Sequence, residues 1–396
     1  MPVASDTGLS LALRLPTELL VLIFKYCIAP YPACSPLLGK HSPTTLTHVC
    51  RYWRCVALST PQLWRAIAIF DSVEVKDRRG YRQVQVVDEP LHIVAASIHV
   101  AERWLQLSGN LALSIVVGAS NELATTDRAQ SRQLRFDFLR KTLVPEHRHR
   151  IEYFAIRCGL LLHEPRLMHG EFNSLRFFSV ETENEQIDLL TFGPISSPCL
   201  QTVSLRFCAR NQHLSCTLPW LQLTKLDVVE VTTVAAALDI LRQTPNLVWC
   251  RVVLHVSSDQ PSLVVNRPVL VLPRLMVAIF ETYSFPATNN HRLFLDILPF
   301  LRLPALSRLR ISQAFLLSDF KQAISSLGCE RLELLSVVDA WEVMAEPRLP
   351  LGTLFETLLL NERGGYAMDE DEWGRWGWDE VTPPKSTRLG SYCISA

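Results

Sequence analysis

No run of about 18 uncharged apolar residues occurs in the 396-residue sequence, so no segment has the make-up of a membrane helix. Neither sign of charge dominates: Lys plus Arg and Asp plus Glu each total 39. The basic footprint of a nucleic-acid binder is therefore missing, and nucleic acid and membrane are both excluded as expected partners. Met1 to Ser10 has no basic n-region, and Arg14, Pro16 and Glu18 interrupt the apolar stretch behind it, so no secretory leader is expected. The 11 cysteines lack paired spacing and lie mostly in apolar periodic segments, which fits reduced, buried thiols in the cytoplasm, the nucleus or both.

Motifs for chemistry are missing as well. There is no GxxxxGK loop, GxGxxG, HExxH or GxSxG, which removes the common phosphate-binding, zinc-protease and hydrolase signatures. Cys208, His213 and Cys216 come nearest to a metal cluster, but their spacing is not that of a CxxC knuckle and no second pair lies nearby. His147 and His149 flank arginines in an expected loop, and Cys50 and Cys55 have no His or Asp partner implied by spacing. No catalytic residue, metal or other cofactor is expected.

What the chain does have is 48% hydrophobic residues, enough for an ordinary globular core. Its length suits two or three domains, or one small domain and an extended array. Three punctuated apolar pieces stand between Leu15 and Trp64. In the first, Pro16 and Glu18 suit a helix start, and Leu19, Leu20, Ile23, Phe24 and Cys27 follow at helical intervals. In the second, Leu46, Val49, Cys50, Trp53, Val56 and Ala57 make one stripe with Arg51 and Arg54 on its flank. The third, Ser59-Thr60-Pro61-Gln62-Leu63-Trp64, reads as a hydroxyl cap and a short helix. Three short helices bury little surface alone and need a neighbour or a partner.

These residues resemble the F-box family, whose pattern runs roughly LPxELLxxIF, a variable loop, VCRxWRxxA and PxLW. Leu15-Pro16, Glu18-Leu19-Leu20, Ile23-Phe24, Val49-Cys50-Arg51, Trp53-Arg54, Ala57, Pro61 and Leu63-Trp64 stand at those places. The ALSTPQLW ending, the long loop from Ala29 to Pro43, Trp104 and Ser108-Gly109 before LALSIVV are similar to F-box proteins abundant in mushroom-forming fungi, although Ala112 stands where proline is common. The resemblance implies docking of a Skp-type adaptor, and through it a cullin–RING ubiquitin ligase. The docking residues it implies are Leu15, Pro16, Leu19, Leu20, Ile23, Phe24, Val49, Trp53, Leu63 and Trp64, some of which must instead be internal packing.

Beyond Ala66 a strand, a charged loop and an alternating strand at Gln83–Val87 are expected, then a helix over Ile93–Leu107, a Ser-Gly-Asn turn and a strand from Leu111. A helix follows around Ser131–Thr142. An apolar-x-x-apolar-x-apolar string then recurs: Ile151/Phe154/Ile156, Leu175/Phe178/Val180, Leu200/Val203/Leu205, Leu223/Leu226/Val228 and Leu247/Cys250/Val252. It continues as Leu272/Leu275/Val277, Leu306/Leu309/Ile311, Leu332/Leu335/Val337 and Phe355/Leu358/Leu360, with a mean step of about 25 residues, as in leucine-rich repeats. Helical stripes at 234–241 and 320–327 separate the strings, and the step from Leu272 to Leu306 implies an insertion. The asparagine or cysteine that such repeats carry eight residues after the first apolar position occurs only at Cys208.

The fold class expected is α/β: a small all-α three-helix F-box at 15–65 after a flexible 1–14, a capping region at 66–145, and a leucine-rich-repeat-like α/β solenoid at 146–362. An acidic segment with Trp373, Trp376 and Trp378 closes the chain at 363–396. Residues between the fourth and sixth string positions would face a concave surface, with Asp227, Arg251, Met276 and Arg310 as the candidates for holding a protein substrate. The function expected is a non-catalytic substrate-recognition subunit of an SCF-type ligase. The alternatives are a ligase-independent protein-binding scaffold and a metal-dependent enzyme.

Overall fold

The computed structural model describes residues 15–69, 72–76, 82–86, 90–118, 126–157, 170–182, 195–207, 218–231, 233–255, 268–283, 297–312 and 324–338. These fall into two compact units, 15–75 with 84–155, and 76–83 with 156–338. The fold is mixed α/β, a helical N-terminal region followed by parallel strands. The Cys208 group, the Phe355 string, the 320–323 half of the 320–327 stripe and the tryptophan segment lie outside the described residues.

The first unit opens with helices α1 (Thr17–Cys27) and α2 (Arg51–Leu58), joined through a 3-10 helix at Pro43–His48 and followed by another at Pro61–Leu63. The second sequence stripe is not one helix. Cys50 is extended at φ −159° and its Sγ accepts the Trp53 N–H at 3.4 Å, so it caps α2 and breaks the stripe after Val49. Leu46 belongs to the 3-10 helix, and Val49 is left in the open. Pro16 precedes α1 rather than starting it, its ψ of 144° being extended. Nor do Ser59 and Thr60 cap forwards: both hydroxyls donate back to the Val56 carbonyl, closing the end of α2.

Strands β1 (Ala66–Ile69), β2 (Ser72–Lys76) and β3 (Arg82–Val86) lead to helix α3 (Leu91–Leu107) and strand β4 (Leu113–Gly118), which runs parallel to β1. Helix α4 (Thr126–Phe138) continues through a π-helical turn at Leu139–Leu143 into α5 (Val144–His147), and β5 (Ile151–Arg157) follows, in the order β1–β4–β5. The expected loop around His147 is thus helical. Beside it the buried Arg150 closes the end of α3, donating to the carbonyls of Leu105 at 3.0 Å and Leu111 at 3.3 Å, to that of Gly109, and to the Ser108 hydroxyl at 3.0 Å. Gly109, at φ +56°, supplies the left-handed turn the expected Ser-Gly pair called for.

In the second unit come β6 (Gly170–Glu171), β7 (Phe177–Thr182), β8 (Ile195–Ser196), β9 (Thr202–Phe207) and β10 (Lys225–Val231). After helix α6 (Val234–Gln243) follow β11 (Trp249–His255), β12 (Leu270–Val271), β13 (Val277–Tyr283), β14 (Leu301–Arg302), β15 (Arg308–Ser312) and β16 (Leu334–Val338). The long strands lie in the order β7–β9–β10–β11–β13–β15–β16, and each pairs its neighbour in parallel. The apolar strings stack in register: Phe178, Val203, Leu226, Cys250, Ala278, Leu309 and Leu335 form one row, and Val180, Leu205, Val228, Val252, Phe280, Ile311 and Val337 the next.

The string expected at Leu272 is shifted by this register. Ala278 and Phe280, not Leu275 and Val277, stand beside Cys250 and Val252, so its first member is Leu275. Leu272 belongs to a turn that recurs before the strands. The N–H groups of Leu175, Leu200, Leu223, Leu247, Leu275 and Leu306 each donate to the carbonyl three residues back, at 3.1–3.4 Å. Pro198, Pro245, Pro273 and Pro304 fill the second position of four of these turns, where a fixed φ near −65° fits. One residue past each turn, the carbonyls of Arg176, Gln201, Thr224, Val248, Met276 and Ser307 each accept two N–H groups from the next segment, at 2.8–3.1 Å. A turn and a shared carbonyl close each step here.

Candidate functional site

Helix α1 has two apolar faces. Leu20 and Phe24 point inward and are fully buried, and the Phe24 ring meets Trp53 edge-on at 5.0 Å. Val56 and Ala57 of α2 complete that small core. Leu63 and Trp64 are buried too: the Trp64 indole donates to the Ala57 carbonyl at 2.9 Å and its ring packs edge-on against Trp104 at 5.6 Å. On the other side Leu19, Leu22, Ile23 and Tyr26 stand three and four residues apart, 49, 49, 39 and 83% exposed. Val49, freed by the break before α2, is 58% exposed, and Pro16 is exposed as well.

The ten residues named for docking are thereby sorted. Leu20, Phe24, Leu63 and Trp64 are internal packing, Pro16, Leu19, Ile23 and Val49 are at the surface, and Leu15 and Trp53 are half-buried. Leu22 and Tyr26 were missed. Their signal was present, since they repeat the Leu19–Ile23 spacing, but that spacing alone does not tell an exposed stripe from a buried one. A row of four large apolar side chains left in water on one helix is the mark of an interaction surface. What the row offers is apolar contact area.

The row expected to face a substrate is built differently. Asp227 and Arg251 are cross-strand neighbours, Ile279 comes next, and Arg310 follows. Met276 is not in this row: it holds the shared carbonyl before β13 and is exposed, its expected place being taken by Ile279. The other three do not face solvent; Asp227, Arg251 and Arg310 are 1, 7 and 4% exposed. Glu281, two residues beyond Ile279 on the same face, bridges what the isoleucine cannot. Its Oε2 accepts from Arg251 Nε at 2.9 Å and Nη2 at 2.8 Å, and its Oε1 accepts from Arg310 Nε at 2.9 Å. Arg251 Nη1 lies 3.7 Å from Asp227 Oδ1, and the Ser204 hydroxyl donates to Asp227 Oδ2 at 3.0 Å. Burial works against charge at both ends of the central pair. Even so, Glu281 and Asp227 hold the Arg251 guanidinium above its ordinary pKa, and the two arginines hold the Glu281 carboxyl below its own. These are paired charges bracing four strands.

Among the described residues no group of three or more His, Cys, Asp or Glu side chains is placed to hold a metal, and no helix is long and apolar enough to cross a membrane. Burial pushes the thiols of Cys34 and Cys250 up to about 12, which makes them inert packing groups at neutral pH.

An F-box-like family model matches residues 12–69. Comparison with curated proteins gave no match. Residues 12–69 are thus an F-box-like domain, and they coincide with the segment that carries the exposed row. Domains of this kind generally bind Skp-type adaptors, and proteins that bear them typically act as non-catalytic adaptors of ubiquitin ligases. A ubiquitin-ligase adaptor role in general is what this domain suggests for the chain.

Proposed function

We propose that the chain is the substrate-recognition subunit of an SCF-type ubiquitin ligase of the kind found in mushroom-forming fungi, working in the cytoplasm, the nucleus or both. The observation that carries this reading is the Leu19–Leu22–Ile23–Tyr26 row, left in water inside the F-box-like match. A Skp-type adaptor covers that row and links the chain to a cullin–RING ligase. The parallel-strand unit is a leucine-rich-repeat-like solenoid, supported by the register of its apolar rows and its recurring turn, and it holds a target protein. The chain raises the effective concentration of a target lysine near the charged carrier enzyme and performs no covalent step itself.

The test is co-purification of the full chain with a Skp-type adaptor. Leu19→Asp with Ile23→Asp should cut adaptor affinity about 100-fold, as expected when central apolar contacts are replaced by desolvated charge, and leave the circular dichroism unchanged. Undiminished adaptor binding by this variant overturns the docking surface. Adaptor recovered without cullin, with no protein stabilised when the chain is deleted, favours a ligase-independent scaffold instead.

A further inference from the structure

The loop from Ala29 to Pro43 is packed down over Tyr31–Leu37, while Leu38–His41 stand exposed. Tyr31 reaches across to β5, its hydroxyl donating to Glu152 Oε2 at 2.9 Å, while its ring meets Tyr153 edge-on at 5.6 Å. The Arg65 guanidinium lies 3.6 Å from the centroid of the Tyr31 ring, a cation–π contact at the start of β1. Cys34 is buried against Val116 of β4 and Ala155 of β5. The Ser114 hydroxyl donates to the Pro32 carbonyl at 2.7 Å. Ser35 forms a parallel bridge with Ile67, and because β1 pairs β4 on its other side, the loop occupies the outer edge of β1. Back towards α1, the Ser35 hydroxyl accepts the Ala29 N–H at 3.2 Å.

We infer that this loop is a clamp that locks α1 and α2 onto the β1–β4–β5 layer, with Tyr31 as its positioning residue, so that a partner seated on the Leu19–Tyr26 row is held at one angle to that layer. Every strand of the layer has a grip on the loop: β1 through Ile67, with Arg65 just before it, β4 through Ser114, β5 through Glu152. None of the loop's anchors is a member of the exposed row. Clamping and docking are therefore separable by mutation. The same contact covers the unpaired edge that β1 would otherwise present to other chains. The clamp itself does not depend on which partner docks; only its consequence for partner angle rests on the adaptor reading.

The experiment uses the full chain with Tyr31→Ala, Tyr31→Phe and Glu152→Gln, alone and bound to a Skp-type adaptor. In Tyr31→Ala, amide exchange over 33–37 and 66–69 should rise about tenfold, because local opening no longer breaks the Tyr31 contacts. Tyr31→Phe keeps the ring on Arg65 and should rise less, and Glu152→Gln, still an acceptor for the hydroxyl, should stay near the parent. Adaptor affinity should remain within about twofold in all three, while small-angle scattering of the Tyr31→Ala complex shows a larger radius of gyration. Unchanged exchange at 33–37 and 66–69, or an equal rise throughout the chain, overturns the clamp. If the parent chain binds no adaptor, the adaptor reading fails and the exchange data alone decide the clamp.

Discussion

The two units invert the usual placement of side chains in opposite senses. The F-box-like region leaves Leu19, Leu22, Ile23, Tyr26 and Val49 in water, whereas the strand unit buries Asp227, Arg251 and Arg310. Each inversion has its own physical explanation. Apolar side chains that stay exposed in register on one helix are a face awaiting a cover. Charges out of water must be paired where they stand, and here the two guanidiniums share the Glu281 carboxylate while Asp227 takes Arg251 and Ser204. The first region leaves apolar surface uncovered; the second pairs its buried charges within itself.

The largest effect is expected where the internal pairing is broken. Arg251→Ala leaves Asp227 and Glu281 without their shared partner and should destabilise the strand unit by about 3–5 kcal/mol, read by urea denaturation through the fluorescence of the neighbouring, buried Trp249. A loss under 1 kcal/mol would mean that water or another cation replaces the guanidinium. Next comes the contrast between neighbours on α1. Leu20→Ala opens a cavity in the small helical core and should cost about 2–5 kcal/mol, while Leu19→Ala at the exposed position should stay within about 0.5 kcal/mol. Equal losses would erase the distinction between the two faces.

The smallest effect is in the pH profile. The folded Glu281 carboxyl titrates below its unfolded value, so its stabilisation is fully present above the unfolded pKa of about 4.3 and fades as pH falls through the folded pKa. Between those values stability should fall with acid by up to about 1.4 kcal/mol per pH unit for this one proton. Glu281→Gln should be less stable at neutral pH and lose that part of the acid slope, measured as urea midpoints from pH 3 to 7. A parallel profile in the variant would place the acid sensitivity elsewhere.

Much of this architecture is legible without coordinates. The apolar strings at Leu175, Leu200, Leu223 and Leu247 anticipated strands that do stack in register, because alternation along a strand is written in neighbouring residues. The α6 stripe and the Ser-Gly turn after α3 are local features and are found where expected. The misreadings share one cause. Leu-Pro-Arg-Leu-Met-Val offers apolar residues to a turn and to a strand alike, and only pairing with β11 shows that the string begins at Leu275. Cys50 likewise fits a helical stripe by spacing, yet its thiol is needed to cap α2.

By itself, then, the sequence determined the class of elements, the identity of the N-terminal segment as F-box-like, and the approximate period of the strands. Those depend on residue type and short-range spacing. Only the tertiary structure decided which apolar residues face out, that Asp227 pairs with Arg251 while Glu281 joins Arg251 to Arg310 in one buried network, and that Tyr31 closes a loop onto a strand 121 residues away. Burial and long-range pairing are properties of the space between elements, and no local pattern in the chain encodes which face of a stripe that space will cover.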